Sequence, residues 1–298
     1  MIVRTTKKLK YAADRGILVL LSAAALISIV TSVGIVLTLV FDASKFFQVV
    51  GFREIFSTKL APLAKEPSFG FLPLITGTLI TSLIAMLVAV PIGVTAAIYM
   101  SEFAGDRIRK IVKPMMELLA GIPTIVYGFF AYSTVTPFLI KLIPGLNAKN
   151  MLSPGIVMGI MIVPIVASLS EDAMNSVPAS LREGSLALGS TDLETALKVV
   201  FPAATSGIVA SVVLGLSRAV GETMIVAIAA GSSKNFTLDV TAPLQTMTAY
   251  IVEFTSGDAG SGTTGYYSLY AVGLILFVFT LLMNLAAQYI SKRFREEY

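Results

Sequence analysis

Arg218 and Glu222 stand in the middle of an apolar run, residues 206–231, in the order Ser217-Arg218-Ala219-Val220-Gly221-Glu222-Thr223-Met224. At about 1.5 Å per residue such a run covers the roughly 30 Å of hydrocarbon in a bilayer, so it reads as a membrane-spanning helix. An arginine at bilayer depth costs about 3 kcal/mol on insertion scales, and charges placed there face protein or water rather than lipid. A spacing of four puts the guanidinium and the carboxylate on one helical face. That face continues back through Gly215, Ser211 and Gly207, small residues that let a second helix come close. Two chemistries fit. One is a structural ion pair in which each charge offsets the burial cost of the other. The other is a polar site on a solute pathway, with Ser217, Arg218, Glu222 and Thr223 as its candidate residues.

The elements that must position this site are set by composition. Of 298 residues, 55% are hydrophobic and 13% charged, with a mean hydropathy of +0.84. That balance specifies an integral membrane protein and leaves no room for a large soluble domain. Cysteine and histidine are both absent, which removes disulfides, thiolate nucleophiles, haem ligation and histidine metal sites or proton relays. No metal site is expected. The net charge of +4 could signal nucleic acid, but an excess of lysine and arginine in cytoplasmic loops accounts for it, and no nucleic-acid partner is expected.

The chain divides into six expected spans. Basic residues Arg4 to Arg15 precede a first span over 17–41, too long for a signal-peptide core. Residues 42–70 carry Phe46, Phe47, Phe52 and Phe56 among charges of both signs and suit a stretch lying at the headgroups. A second span over 72–100 carries Pro91-Ile92-Gly93, where a kink is expected. A short basic loop, Arg107 to Lys113, leads to a third span over 114–140. This span contains Gly121-Ile122-Pro123 and Tyr127. A Gly-x-Pro break at membrane depth either lines a cavity or is an ordinary proline kink. The fourth span covers 154–169, the charged run is the fifth, and the sixth covers 268–290. Before the sixth, Leu244, Met247, Ile251 and Phe254 recur at helical spacing, predicting a helix that lies on the membrane or on loops, followed by a loop over 256–262.

Between the fourth and fifth spans, residues 171–204 are polar enough to protrude. Pro178 opens a short helix that Gly189 closes, and Thr191 with Glu194 forms a capping box for a second helix ending at Phe201-Pro202. The side holding the N-terminus, Arg107 to Lys113, this hairpin, and Lys292, Arg293 and Arg295 carries most of the basic residues. Both termini and the hairpin are therefore expected in the cytoplasm. The fold class is an all-α integral membrane protein with six transmembrane helices and a cytoplasmic helical hairpin.

The hairpin also carries a resemblance. Glu183-Gly184-Ser185, three residues (Leu186, Ala187, Leu188), Gly189, nine residues and Val199-Val200-Phe201-Pro202 resemble the EAA loop of ABC-importer membrane subunits, Glu-Ala-Ala-x3-Gly-x9-Ile-x-Leu-Pro. Gly184, Ser185, Val199 and Phe201 depart from that pattern. The stretch from Leu118 to Phe130 and the one from Arg218 to Met224 resemble the PstC/PstA family of phosphate-import permeases, with Gly-Ile-Pro-Thr-Ile-Val-Tyr-Gly nearer the PstC branch. The resemblance covers about 76–298.

The resemblance implies a type I ABC importer permease fold, with residues 1–71 as tail, first span and external segment and 72–298 as the core permease domain. It implies half of a pore for inorganic phosphate in a bacterial or archaeal plasma membrane. It also implies a PstA-like second permease subunit, a PstB-like ATPase dimer docked on residues 183–189, and an external PstS-like phosphate-binding protein. The chain has no Gly-x4-Gly-Lys-Ser/Thr loop. ATP and Mg are accordingly expected on the ATPase, with no cofactor and no catalysis in this chain. Guanidinium matches phosphate oxygens bidentately. Glu222 could accept a hydrogen bond from a protonated phosphate, which sulfate does not offer near neutrality, or could simply hold Arg218. A permease for sulfate or molybdate, the sister subunit PstA, a secondary transporter and a regulatory membrane protein are the alternatives.

Overall fold

The computed structural model describes residues 2–258, 260 and 262–293. Arg295, and Ala259 and Ser261 of the loop over 256–262, lie outside the described residues. In chain order the helices are α1 (Ile2–Val49), α2 (Leu72–Ile98), α3 (Asp106–Gly121), α4 (Thr124–Phe130), α5 (Thr136–Leu142) and α6 (Leu152–Asn175). There follow α7 (Ala179–Ala187), α8 (Asp192–Thr195), α9 (Phe201–Ala203), α10 (Thr205–Val220), α11 (Met224–Ala229), α12 (Met247–Glu253) and α13 (Thr264–Arg293). Among the described residues five helical segments are long and apolar enough to cross a bilayer: Gly16–Val49, Leu72–Phe103, Thr124–Leu142, Leu152–Asn175 and Thr264–Tyr289. A sixth is reached if Thr205–Val220 is counted together with Asp192–Ala203 of the hairpin, from which it is bent by 72°. The chain is therefore a multi-pass, all-α membrane protein.

Close packing of α2 on α6 forms the centre of the bundle. A Cβ added at Gly155 would fall 2.7 Å from Ile84, and one at Gly159 would fall 2.7 Å from Val88, so only glycine permits this approach. The small-residue stripe of α10 lies against α6 as expected: Gly207 meets Ala173, the Ser211 and Ser170 hydroxyls are 2.7 Å apart, and Gly215 faces Ile162 and Val166. Pro91 is accommodated inside α2.

Several boundaries differ from the sequence-based expectations. Residues 170–175 continue α6, with Ser170 and Glu171 fully buried, so the protruding hairpin starts at Ser176. The basic stretch after α2 is no loop: from Asp106 it begins α3, an amphipathic helix that absorbs the start of the expected third span. Ile122 then takes extended geometry (φ −66, ψ 129) because the ring of Pro123 excludes the α region for the residue before it. The crossing segment thus starts at Thr124.

The aromatic residues expected at the headgroups divide. Phe46 is fully buried, stacked 5.7 Å from Phe71 and edge-on to Phe69 at 5.2 Å, whereas Phe52 and Phe56 are exposed. A short hairpin, β1 (Leu60–Ala61) paired with β2 (Ser68–Phe69), supplies Phe69 to this cluster. The helix around Met247 does not lie on a surface either. Met247, Tyr250 and Phe254 are buried beside Phe71 and Val272, because a short helix with an apolar face can cover an interior as readily as a membrane. Leu244 precedes that helix and is buried with it.

Candidate functional site

The charged run is two helices and not one. α10 ends at Val220, Gly221 follows, and α11 starts at Met224. Each helix start leaves backbone N–H groups without intrahelical acceptors. Here the Glu222 carboxylate takes them: Oε1 accepts from Met224 N at 3.0 Å and from Ile225 N at 3.3 Å. The partial positive charge of a helix N-terminus favours that carboxylate. A second tie fixes the same turn, the Thr248 hydroxyl donating to the Glu222 carbonyl at 2.7 Å.

Arg218 and Glu222 therefore do not share a helical face. Glu222 is buried at 7% exposure, whereas Arg218 lies on the exposed side of the last turn of α10. No ion pair joins them, and among the described residues none pairs with the Arg218 side chain. The break overturns the geometry that a continuous helix predicts. Glycine weakens the helix, and two amide donors hold the carboxylate where Arg218 would otherwise have to.

The other two residues of the run point in different directions. The Ser217 hydroxyl donates to Asn284 Oδ1 of α13 at 2.9 Å, so it is committed to a neighbouring helix. Thr223 is half-buried, its hydroxyl 3.3 Å from the Gly221 carbonyl. Asn284 and Thr248 escape sequence reasoning, since a polar residue on a mainly apolar helix does not reveal which distant group it meets.

The second candidate, Gly121, Pro123 and Tyr127, is also a break between helices. Tyr127 bridges it by donating its hydroxyl to the Leu119 carbonyl at 2.8 Å, a second donor on an oxygen that also accepts the Ile122 N–H at 3.3 Å. One residue on, Gly128 packs on α11: a Cβ there would stand 3.0 Å from the Met224 carbonyl and from Ile225 Cα. The two breaks, far apart in sequence, are thus brought together through α4 and α11.

The hairpin has the local geometry its residues specify. Pro178 precedes α7, and Gly189 follows it in the left-handed region at φ +89, with its N–H on the Leu186 carbonyl at 2.9 Å. Thr191 and Glu194 form a reciprocal capping box on α8. The Thr191 N–H and the Lys198 ammonium at 3.0 Å hold the Glu194 carboxyl below the usual carboxylate range. Glu183, Gly184, Leu186, Ala187, Leu188 and Gly189 are exposed and Ser185 half-buried, its hydroxyl 2.9 Å from that of Thr195. Leu188 is 90% exposed, which leaves an apolar tip projecting from a polar hairpin.

Comparison with known proteins places this geometry in context. Residues 89–296 match the model of the family described as "Binding-protein-dependent transport system inner membrane component". The chain is 36% identical over 277 residues to the probable ABC transporter permease protein YqgH of Bacillus subtilis, covering 92% of this chain and 89% of that one. It is 35% identical to the phosphate transport system permease protein PstC of Mesorhizobium japonicum, covering 91% and 88%. The probable phosphate transport system permease protein PstC of Methanocaldococcus jannaschii is 32% identical, with 82% of each covered.

Among solved structures, a bacterial alginate ABC transporter superposes with a TM-score of 0.65 at 17% identity, covering 93% of this chain and 95% of that one. The MetNI methionine ABC transporter in an inward-facing form gives 0.56 at 20% identity, covering 76% and 94%. These likenesses establish a shared ABC-importer permease fold. The chain belongs to the family of binding-protein-dependent transport system inner membrane components.

Proposed function

We propose that this chain is a PstC-type permease subunit that forms half of the pore of an ATP-driven importer of inorganic phosphate. Two of the relatives that match most of its length are named as phosphate permeases, one in a bacterium and one in an archaeon. The observation that carries the anion reading is Arg218. It is an exposed guanidinium without a partner among the described residues, one turn before a break whose own carboxylate is already held by backbone amides. A cation that need not neutralise its neighbour is available to an oxyanion, and its planar fork matches two phosphate oxygens.

In this reading Glu222 shapes the break, offers a hydrogen-bond acceptor to a protonated phosphate oxygen, and repels an oxyanion that lacks one. The junction of the two breaks, where Tyr127 and Gly128 meet α11, is the part of the pathway that opens and closes. Lysine and arginine bias puts both termini and the hairpin in the cytoplasm of a bacterial or archaeal cell. The apolar tip, Leu186 to Leu188, enters one subunit of an ATPase pair, and ATP and Mg belong to that pair. A second, PstA-like permease completes the pore, and an external phosphate-binding protein delivers solute. Reconstituting the chain with these partners and following labelled phosphate tests the reading. ATP-dependent uptake of phosphate over sulfate is expected, and an assembled complex that hydrolyses ATP while moving another solute in its place overturns it.

A further inference from the structure

One five-residue π turn, Tyr99–Phe103, closes α2 and is gripped from three sides. Arg182 of α7 reaches it with both arms of its guanidinium: Nη2 donates to Glu102 Oε1 at 3.1 Å and Nε to Glu102 Oε2 at 3.3 Å. The same group donates to the Met174 carbonyl at 2.7 Å and the Val177 carbonyl at 2.6 Å, where α6 ends. From the other side Arg109 of α3 donates to the carbonyls of Met100 at 2.7 Å and Ser101 at 2.6 Å. The third grip is α6 itself, with the Ser101 hydroxyl 3.1 Å from Asn175 Oδ1.

These contacts are built, not incidental surface pairs. The Glu102 side chain is 10% exposed and that of Arg182 22%. A pair this far from water loses little to screening, and breaking it leaves a charge poorly compensated. A fork of five donors that finds two carboxylate oxygens and two carbonyls holds orientation as well as position. By contrast Lys198 and Glu194, on the same hairpin, form an exposed pair of the kind that contributes little.

These ties form one continuous connection. α7 carries the exposed apolar tip, the turn is rigidly tied to α7, and Arg109 ties the turn to α3. α3 is an amphipathic helix with none of its residues buried; besides Arg109, Lys113 ties it to the buried Glu171 of α6 at 3.1 Å, and it ends at Gly121 where the first break begins. We propose that Arg182 and Glu102 are positioning residues that carry displacement of the hairpin, through the turn at Tyr99–Phe103 and Arg109, to α3 and the break at Ile122–Pro123. This inference rests on the reading of the chain as a permease driven by an ATPase docked on the hairpin.

The chain contains no cysteine, so a single Ala120→Cys, at an exposed position in the last turn of α3, reports on the break without interference. In the complete complex, labelling of that cysteine is compared with the ATPase empty and with it trapped by nucleotide. Coupling free energies between sites typically change a rate or affinity by about fivefold or more, and a nucleotide-dependent change of that size is expected in the parent.

Glu102→Gln and Arg182→Lys each keep a hydrogen-bonding group but lose the charged, forked pair. In both, the response is expected to shrink below about twofold while ATP hydrolysis stays near the parental rate, which is loss of coupling in the sense of a linkage term. Lys198→Gln should leave the response intact. A full response in both variants overturns the inference, as does a hydrolysis rate that falls in step with the response, or failure of both variants to assemble, which would make the clasp a folding element. A parent that responds to nucleotide but takes up no phosphate would overturn the phosphate reading alone. A parent that takes up phosphate with no change at Ala120→Cys would overturn this inference alone.

Discussion

The Glu222 carboxylate accepts the backbone N–H of Met224 at 3.0 Å, across the gap where α10 stops and α11 starts. A side chain that closes a helix N-terminus in this way contributes about 1 kcal/mol. Glu222→Leu should therefore destabilise the junction by at least that amount, with the buried amides left unpaired. Glu222→Gln keeps an acceptor and should retain most of the stability. Thermal unfolding of the solubilised chain, comparing the two variants, checks this: equal losses would mean the cap contributes nothing.

Gly128 sits where α4 crosses α11, and an added methyl would stand 3.0 Å from backbone atoms of Met224 and Ile225. Backbone cannot step aside as a flexible side chain can. Gly128→Ala should separate the two helices by a few tenths of an ångström, and Gly128→Val should abolish uptake while the complex still forms. Matched assembly and uptake assays on the pair would show it, and normal uptake in Gly128→Val would remove the junction from the pathway.

How far the sequence reaches is instructive at these points. Pro178, Gly189, Thr191 and Glu194 announce the hairpin because capping and turn rules act within a few residues of chain, and every one of those features is in place. The break at Gly221 is different. Nothing local forbids a helix through Gly221-Glu222-Thr223, and only the amide acceptor from Glu222 and the Thr248 hydroxyl, 26 residues on, make interruption the better state. Phe46 shows the same limit. An aromatic residue among charges suits a headgroup layer equally well, and its burial depends on Phe69 and Phe71 arriving from a hairpin. Of the site, Arg218 and Glu222 are legible as residue types. Their separation combines a local cap, the Glu222 carboxylate on Met224 and Ile225, with the tertiary tie from Thr248.

Gly189, at φ +89, occupies a region that L side chains enter only with strain. Open space surrounds it within the chain, so a substitution there strains the backbone without clashing with this chain's own side chains. Gly189→Val is expected to cost about 1–2 kcal/mol in the bend and to reduce docking of the ATPase, with membrane insertion unchanged. Pull-down of the ATPase and its hydrolysis rate in the complex measure this, and normal values for both would separate the hairpin from coupling.

The Glu194 carboxyl, held below its usual range by the Thr191 N–H and by Lys198, stabilises the start of α8. A depressed carboxylate contributes stability that is present above its unfolded pKa and is lost as pH falls through the folded one. The bend should thus loosen only in acid, below the ordinary glutamate range of about 4.3, and Glu194→Gln should abolish that dependence. Hydrogen exchange of residues 191–196 against pH would reveal it; protection that falls instead near neutrality would point to another group.

Arg218 decides the account most directly. Labelled phosphate uptake by the reconstituted complex, at matched levels of assembly, should fall about tenfold or more in Arg218→Lys, because lysine keeps the charge but not the fork that binds two oxygens. The same variant should hydrolyse ATP and assemble normally, since no residue among those described depends on the guanidinium. Parental uptake in Arg218→Lys and in Arg218→Ala would contradict the claim that this arginine meets the anion in the pore.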